Sequence, residues 1–423
     1  MCCLKAKTKC IILLILFILI VLFMTYVNNF EAHNIVASNK IVVIPTTYLI
    51  SIIFLCLVSS IILIYLFLSN KCEKNFKETF CSSNKIIIFT LALITLTFSF
   101  TFFNVKILKY RIINNIIVID KKEINLDDYN KDIDITDSGE YIINGEFNNS
   151  IYIDTNDKVV LYLNNITINS SDGPCIANKN DNELVIYIND GTINTLEDTG
   201  KSDYAGCIYS NGNLTIDGYG SLNINGNKKK GEGIATKNKN ITINGGNISI
   251  KSKDDGINAG GEIGGTITIN DGKLFINAKG DGIDSNSNII INGGILYAIG
   301  KPKGGDAALD SDKGIIINGG TVVALAIDEL EIPSNTSKQK FISLDNNEID
   351  KNTLVTLLND KDEIIISFEA REKFKTLILS NNKLVKGKYH LYINGENSGS
   401  QNNYIYENGI YTKGNKLLDV EVK

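Results

Sequence analysis

Apolar residues follow two different regimes along this chain. Up to residue 111 they run almost without interruption, in stretches at about 11–27, 41–68 and 86–108. A membrane-spanning helix needs about 20 mostly apolar residues, so three transmembrane α-helices are predicted. From residue 112 onward the apolar positions alternate with polar ones over short runs, the period of β-strands rather than helices. One phrase recurs there: an apolar pair, then Asn or Asp, then glycine. It appears at Tyr187-Ile188-Asn189-Asp190-Gly191, Thr215-Ile216-Asp217-Gly218, Thr242-Ile243-Asn244-Gly245-Gly246, Thr268-Ile269-Asn270-Asp271-Gly272, Ile290-Ile291-Asn292-Gly293-Gly294 and Ile316-Ile317-Asn318-Gly319-Gly320. A second phrase keeps the same beat: Cys175-Ile176, Cys207-Ile208, Gly233-Ile234, Gly256-Ile257, Gly282-Ile283 and Ala308-Leu309.

A fixed step of this size marks a solenoid, and the β-branching and turn chemistry select a parallel β-helix over a leucine-rich repeat. In such a coil the isoleucines face a central column and their neighbours face solvent. The outward column then reads Tyr162, Tyr187, Thr215, Thr242, Thr268, Ile290 and Ile316. Asn189, Asp217, Asn244, Asn270, Asn292 and Asn318 form a second column, read as an asparagine ladder satisfying turn backbone groups. The predicted organisation is a membrane anchor over 1–111, a linker over 112–135, the β-helix over 136–333 and a C-terminal β-rich cap over 334–423. In the stretch 114–146 that joins membrane to helix, Ser138–Gly145 reads as a first hairpin. In the cap, Asn394-Gly395 and Asn408-Gly409 read as hairpin turns.

Composition sharpens the division. Residues 1–111 hold 11 Lys+Arg against 3 Asp+Glu and no glycine, a net charge of +8; the remainder holds 31 against 44, a net of −13, and all 35 glycines. Lysines cluster in the N-terminal tail and in the loop of residues 69–85, which places both inside and everything after Arg111 outside, in a multi-pass membrane protein. The acidic outer part has the wrong sign to neutralise phosphates, which excludes nucleic-acid binding.

Candidate chemistry concentrates at one corner of the repeat. Asp254, Asp255, Asn258, Asp281, Asp284, Asn286, Asp306, Asp310 and Asp312 recur over three successive coils. Stacked carboxylates repel unless neutralised, and calcium takes 6–8 oxygen ligands of this kind. Solvated Asx turns are the alternative reading. Cys175 and Cys207 share a slot that otherwise holds glycine or alanine, so they read as small buried thiols within reach of a disulfide. The chain has two histidines, His33 and His390, and after Arg111 one arginine, Arg371, all outside the coils. That excludes a histidine-dependent hydrolase or an arginine-base lyase from the helix. A lysine with a pKa depressed by burial remains a possible base, with Lys251, Lys253, Lys279 and Lys303 near the aspartates.

Residues from about 136 to 325 resemble the bacterial β-helical carbohydrate-binding domain family. The resemblance rests on Ser138-Gly139-Glu140-Tyr141, the strand pair of residues 161–168, Gly212-Asn213-Leu214-Thr215-Ile216-Asp217-Gly218 and Gly280-Asp281-Gly282-Ile283-Asp284-Ser285. The segment from Phe374 to Tyr389 is similar to that family's C-terminal part. The resemblance implies a right-handed β-helix similar to pectate lyases, binding of cellulose and acidic sugars without established lyase activity, and calcium held by Asp254, Asp255, Asp281, Asp284, Asp306 and Asp310. Usual members are secreted or lipid-anchored; three spans at the start are this chain's departure.

The leading expectation is thus a membrane-anchored, extracytoplasmic protein whose partners are the lipid bilayer and a polysaccharide, either an acidic one or a cellulose-like glucan. Calcium is its expected ion. No tryptophan is present, so Tyr162, Tyr187 and Tyr297 are the candidate sugar-stacking rings, with Phe275 a further outward ring and core or cap packing the alternative role for Phe275 and Tyr297. A calcium-dependent pectate-type lyase with a lysine base and a surface-assembly solenoid without a sugar ligand are the alternatives.

Overall fold

Each coil of the repeat folds as three short strands because its apolar residues come in three alternating clusters separated by turn residues. One coil is typical: Ile241–Ile243, Asn247–Ser252 and Ile257–Gly260. Each strand pairs in parallel with its counterpart one coil away, Ile243 with Ile269, Ile250 with Ile276 and Ile257 with Ile283. The result is a β-solenoid of about six turns. One of its faces is an eight-stranded sheet running from Ile133–Ile135 to Leu309–Ser311. The other two faces join into a continuous 17-stranded sheet.

These features belong to the computed structural model, which describes residues 112–113, 116–117 and 121–423, apart from 201–202, 228–230, 301–305, 347, 403 and 423. The three expected spans, the cysteines up to Cys81 and Lys303 lie outside the described residues. Among the described residues no helix is long and apolar enough to cross a membrane. The chain divides into two units, 1–120 and 121–423. Of the first, only the antiparallel pair Ile112–Ile113 and Ile116–Ile117 is described.

Register is set by the isoleucine columns. Ile216, Ile243, Ile269, Ile291 and Ile317 are fully buried, as are Ile208, Ile234, Ile257 and Ile283. A one-residue slip would turn each column to solvent. The turn between the first two faces needs a left-handed residue, and glycine supplies it at Gly246 and Gly272, with φ of +94° and +104°.

Three expectations are corrected here. Ser138–Gly145 is not a hairpin: Gly139–Phe147 runs parallel both to Lys121–Asn125, within the expected linker, and to Val159–Ser170. Asn144-Gly145 sits at a register shift where that strand turns a corner, so the glycine bends the chain without reversing it. Second, the outward columns shift by two residues in the early coils. Leu184–Ile188 pairs residue for residue with Leu214–Gly218, so Ile186 pairs with Ile216 and Tyr187 with Asp217. Tyr162 and Tyr187 therefore head the column of Asp217 and the asparagines, while Val185 precedes Thr215. Third, Asn394 and Asn408 do take left-handed φ of 58° and 56°, yet the strands flanking each of them pair with other partners, so neither closes a two-residue hairpin.

Beyond the coils an antiparallel six-stranded sheet includes Leu354–Asn359, Ile364–Glu369 and Gly387–Ile393. Thr376–Ser380 pairs antiparallel with Thr321–Ala326, which gives the last coil's edge a partner of its own chain. A second core forms where this module covers the outward residues Phe275, Tyr297 and Val323 of the last coils.

Candidate functional site

The acidic corner lies at the turn that leads into the eight-stranded sheet and on that sheet's outward row. Parallel pairing places Asn258, Asp284 and Asp310 in one row. Asp255 and Asp281 precede it by three residues in adjacent coils, and the Asp281 N–H donates to Asp255 Oδ1 at 2.8 Å. Asn258 Nδ2 donates to Asp255 Oδ2 at 2.7 Å and to Asp284 Oδ2 at 3.0 Å, tying the two carboxylates together. Asp281 Oδ1 accepts the Ala307 N–H. Gly280 is required beside them, because a Cβ there would lie 2.4 Å from Asp255 Oδ1.

Asp255, Asp281 and Asp284 offer one oxygen each, all within 4.8 Å of one another. Asp281 is only 9% exposed. Burial first, then the carboxylates of Asp255, Asp310 and Asp284, pushes Asp281 up to about 8. Burial with Asp255, Asp310 and Asp312 pushes Asp284 up to about 7. Asp255 is raised by burial and by Asp254 and Asp306, and Asp310 by burial with Asp312 and Asp306. Of the six expected ligands, three therefore form a tight set, and Asp254, Asp306 and Asp310 stand close enough to act on its charge. Sequence reasoning missed Glu331, which follows the last coil, feels Asp310 and Asp312 and is raised to about 7, chiefly by burial.

This donor set fits a hard cation. It is all oxygen, partly desolvated and self-repelling, the chemistry that calcium relieves and that a thiolate or imidazole metal does not seek. Asp255, Asp281 and Asp284 would hold the ion. Its binding would compete with protons on the raised carboxylates.

The expected aromatic residues separate. Tyr162 and Tyr187 stack across adjacent coils with centroids 5.3 Å apart, on the 17-stranded sheet, and Lys121 Nζ covers the Tyr162 ring at 3.3 Å. Burial depresses the pKa of that lysine, far from the acidic corner in the sequence of coils. Tyr297 is corrected: it is fully buried under the C-terminal module. Its hydroxyl donates to the Glu369 carbonyl at 2.7 Å and accepts the Arg371 N–H at 3.1 Å, so its ring has no open face. Lys251 and Lys253 are exposed and solvated, the opposite of a desolvated base.

A different aromatic group occupies the row of the acids. Ile133–Ile135, Ile151–Ile153, Ile176–Asn178 and Gly206–Ser210 pair in order, which aligns Asp134, Tyr152, Ala177 and Tyr209. The row continues through Ala235 to Asn258, Asp284 and Asp310. Tyr204, from the loop before Gly206–Ser210, lies 6.0 Å from Tyr152 and 5.2 Å from Tyr209 between centroids. The signal was present in Ile151-Tyr152-Ile153 and Ile208-Tyr209-Ser210, which share one offset, while Tyr204 sits in a loop that no periodicity marks.

Elsewhere the columns are structural. Asn270 Nδ2 donates to Asn244 Oδ1, Asn292 Nδ2 to Asn270 Oδ1 and Asn318 Nδ2 to Asn292 Oδ1, each at 2.8 Å. Cys175 and Cys207 are free, buried thiols with sulfurs 3.2 Å apart.

Fold and site together define a parallel β-solenoid with an oxygen-rich acidic corner and an aromatic row on one sheet. The chain belongs to the carbohydrate-binding domain-containing protein family, whose model matches residues 129–397. A solved structure, the polysaccharide lyase-like protein from C. thermocellum in its gadolinium derivative, is similar at 23% identity, covering 49% of this chain and 89% of that one, with a TM-score of 0.38. No curated protein matches the chain.

Proposed function

We propose that this protein is a membrane-tethered module that binds polysaccharide outside a bacterial plasma membrane, with calcium held at Asp255, Asp281 and Asp284 and the three N-terminal spans as its anchor. Membership of the carbohydrate-binding family supports the ligand class, and the three converging carboxylates support the ion. That convergence is the observation that carries the reading: carboxylates raised to about 8 and 7 by burial and mutual repulsion favour a cation. Bound calcium supplies positive charge to a domain of net negative charge, so an acidic polysaccharide gains a favourable partner where it would otherwise be repelled. The chain's own residues then orient the polymer. Asn258 fixes Asp255 relative to Asp284, and Asp254, Asp306 and Asp310 strengthen the local field. Tyr162 and Tyr187 offer a second, neutral surface on the other sheet.

Isothermal titration of the full chain with calcium alone, then with polygalacturonate in calcium and in EDTA, tests this. Calcium uptake that Asp281→Asn abolishes, with polysaccharide binding lost in EDTA, is expected. Polysaccharide binding unchanged by EDTA and by Asp281→Asn would overturn the calcium part.

A further inference from the structure

Tyr152, Tyr204 and Tyr209 are half-buried rings on a surface that is otherwise polar. Their position follows from two small residues. Ala177 separates Tyr152 from Tyr209 in the outward row and is fully buried, and Ala235, on the far side of Tyr209, is 2% exposed. Neighbouring strands are about 4.8 Å apart, so Tyr152 and Tyr209 stand roughly 10 Å apart across the alanine. Tyr204 closes that gap from the loop, and the three rings make one continuous aromatic strip.

The rim is polar and tied in place. Lys179 Nζ lies 4.6 Å from the Tyr152 centroid and is held by Asp134 at 2.8 Å and Asp154 at 3.4 Å. The Tyr209 hydroxyl donates to Asn211 Oδ1 at 2.8 Å, and Asn211 Nδ2 donates to the Lys179 carbonyl at 2.9 Å. Fixed rings flanked by donors and acceptors match a pyranose, which presents an apolar C–H face and a rim of hydroxyls. Tyr209 and Asp284 lie three strands apart on the same row, roughly 14 Å, with only Ala235 and Asn258 between them.

We propose that Tyr152, Tyr204 and Tyr209 form a sugar-stacking subsite that takes pyranose units of the same polysaccharide strand whose charged groups reach the acidic corner. The inference rests on the polysaccharide-binding reading above and extends it along one sheet. It also chooses between surfaces. Each aromatic group has one ring under a lysine, Tyr162 under Lys121 and Tyr152 under Lys179, but the Tyr162–Tyr187 pair lies on the other sheet, whereas this strip is continuous with the acidic row.

The test compares full chains carrying Tyr209→Ala, Tyr152→Ala, Tyr209→Phe and Tyr204→Leu, the last keeping an apolar plug over Ala177. Affinity electrophoresis on polygalacturonate with calcium reads polymer binding, and titration with calcium alone reads the acidic corner. Tyr209→Ala and Tyr152→Ala are expected to weaken polymer binding roughly fivefold to tenfold, the scale of a lost aromatic contact. Tyr204→Leu should weaken it as well, Tyr209→Phe should bind like wild type, and calcium uptake should be unchanged in all four. Wild-type polymer binding by Tyr209→Ala, Tyr152→Ala and Tyr204→Leu, with Asp281→Asn impaired, would overturn the subsite and leave the calcium reading standing. No polymer binding by wild type would overturn both.

Discussion

Asp281 and Asp284 are where the residue scale decides the chemistry. Burial and neighbouring carboxylates raise their pKa values in the fold to about 8 and about 7, above the ordinary 3.8 of an aspartate. A raised carboxylate pKa means that the metal-free fold holds protons the unfolded chain releases, so its stability falls as pH rises from about 4 to about 8. The charged groups acting on them are Asp255, Asp310 and Asp312, all acidic, together with the Asn258 amide, while Asp254, Asp306 and Glu331, also acidic, act on or feel those neighbours. In EDTA the melting temperature should therefore be lower at pH 8.5 than at pH 5.5. Asp281→Asn should shrink that difference, and calcium should abolish it in wild type only. A melting temperature in EDTA that is flat across this range would contradict the assignment. The acids were legible from the sequence because Asp255-Gly256-Ile257 and Asp281-Gly282-Ile283 recur one coil apart, with Asp306 and Asp310 in the coil that follows. For Tyr297 the sequence left sugar stacking and cap packing side by side, because alternation shows that a side chain points outward but not whether residues 72 and more positions later cover it; the structure decides for packing.

At the scale of the element, register is the property that matters, and small residues enforce it. Cys175, Cys207, Gly233, Gly256 and Gly282 occupy one slot at which the next coil's backbone approaches. A Cβ on Gly256 would lie 2.5 Å from the Gly282 carbonyl oxygen and 2.2 Å from Ile276 Cγ2. Gly256→Ala should destabilise by about 1–3 kcal/mol, the usual cost of overpacking, and chemical denaturation measures it. It should also weaken calcium binding, since Asp255 is its neighbour. Cys207 is buried against Cys175, and burial pushes its thiol pKa well up. Both thiols should resist iodoacetamide in the folded protein and react after denaturation, as peptide mass analysis would show. The strand alternation and the turn glycines were legible in the sequence. The two-residue offset at Leu184–Ile188 was not: aligning repeats on their turns makes Tyr187 match Thr215, whereas strand pairing matches it to Asp217. The turn phrase lies two residues further along in that coil while the buried column keeps its register.

Across the whole described unit, one sheet holds the chemistry and another is covered. The C-terminal module packs over Phe275, Tyr297 and Val323, while the eight-stranded sheet keeps its acidic and aromatic row accessible. The solenoid was legible because every coil repeats the same solution to burial. The cap's placement was not, since it depends on contacts between segments with no shared period. The central claim is that this surface binds an acidic polysaccharide through calcium. Titration of the full chain with polygalacturonate, in calcium and again in EDTA, tests it most directly. Binding that appears only with calcium and is lost in Asp281→Asn is the predicted result; equal binding in both buffers, or none in either, would contradict it.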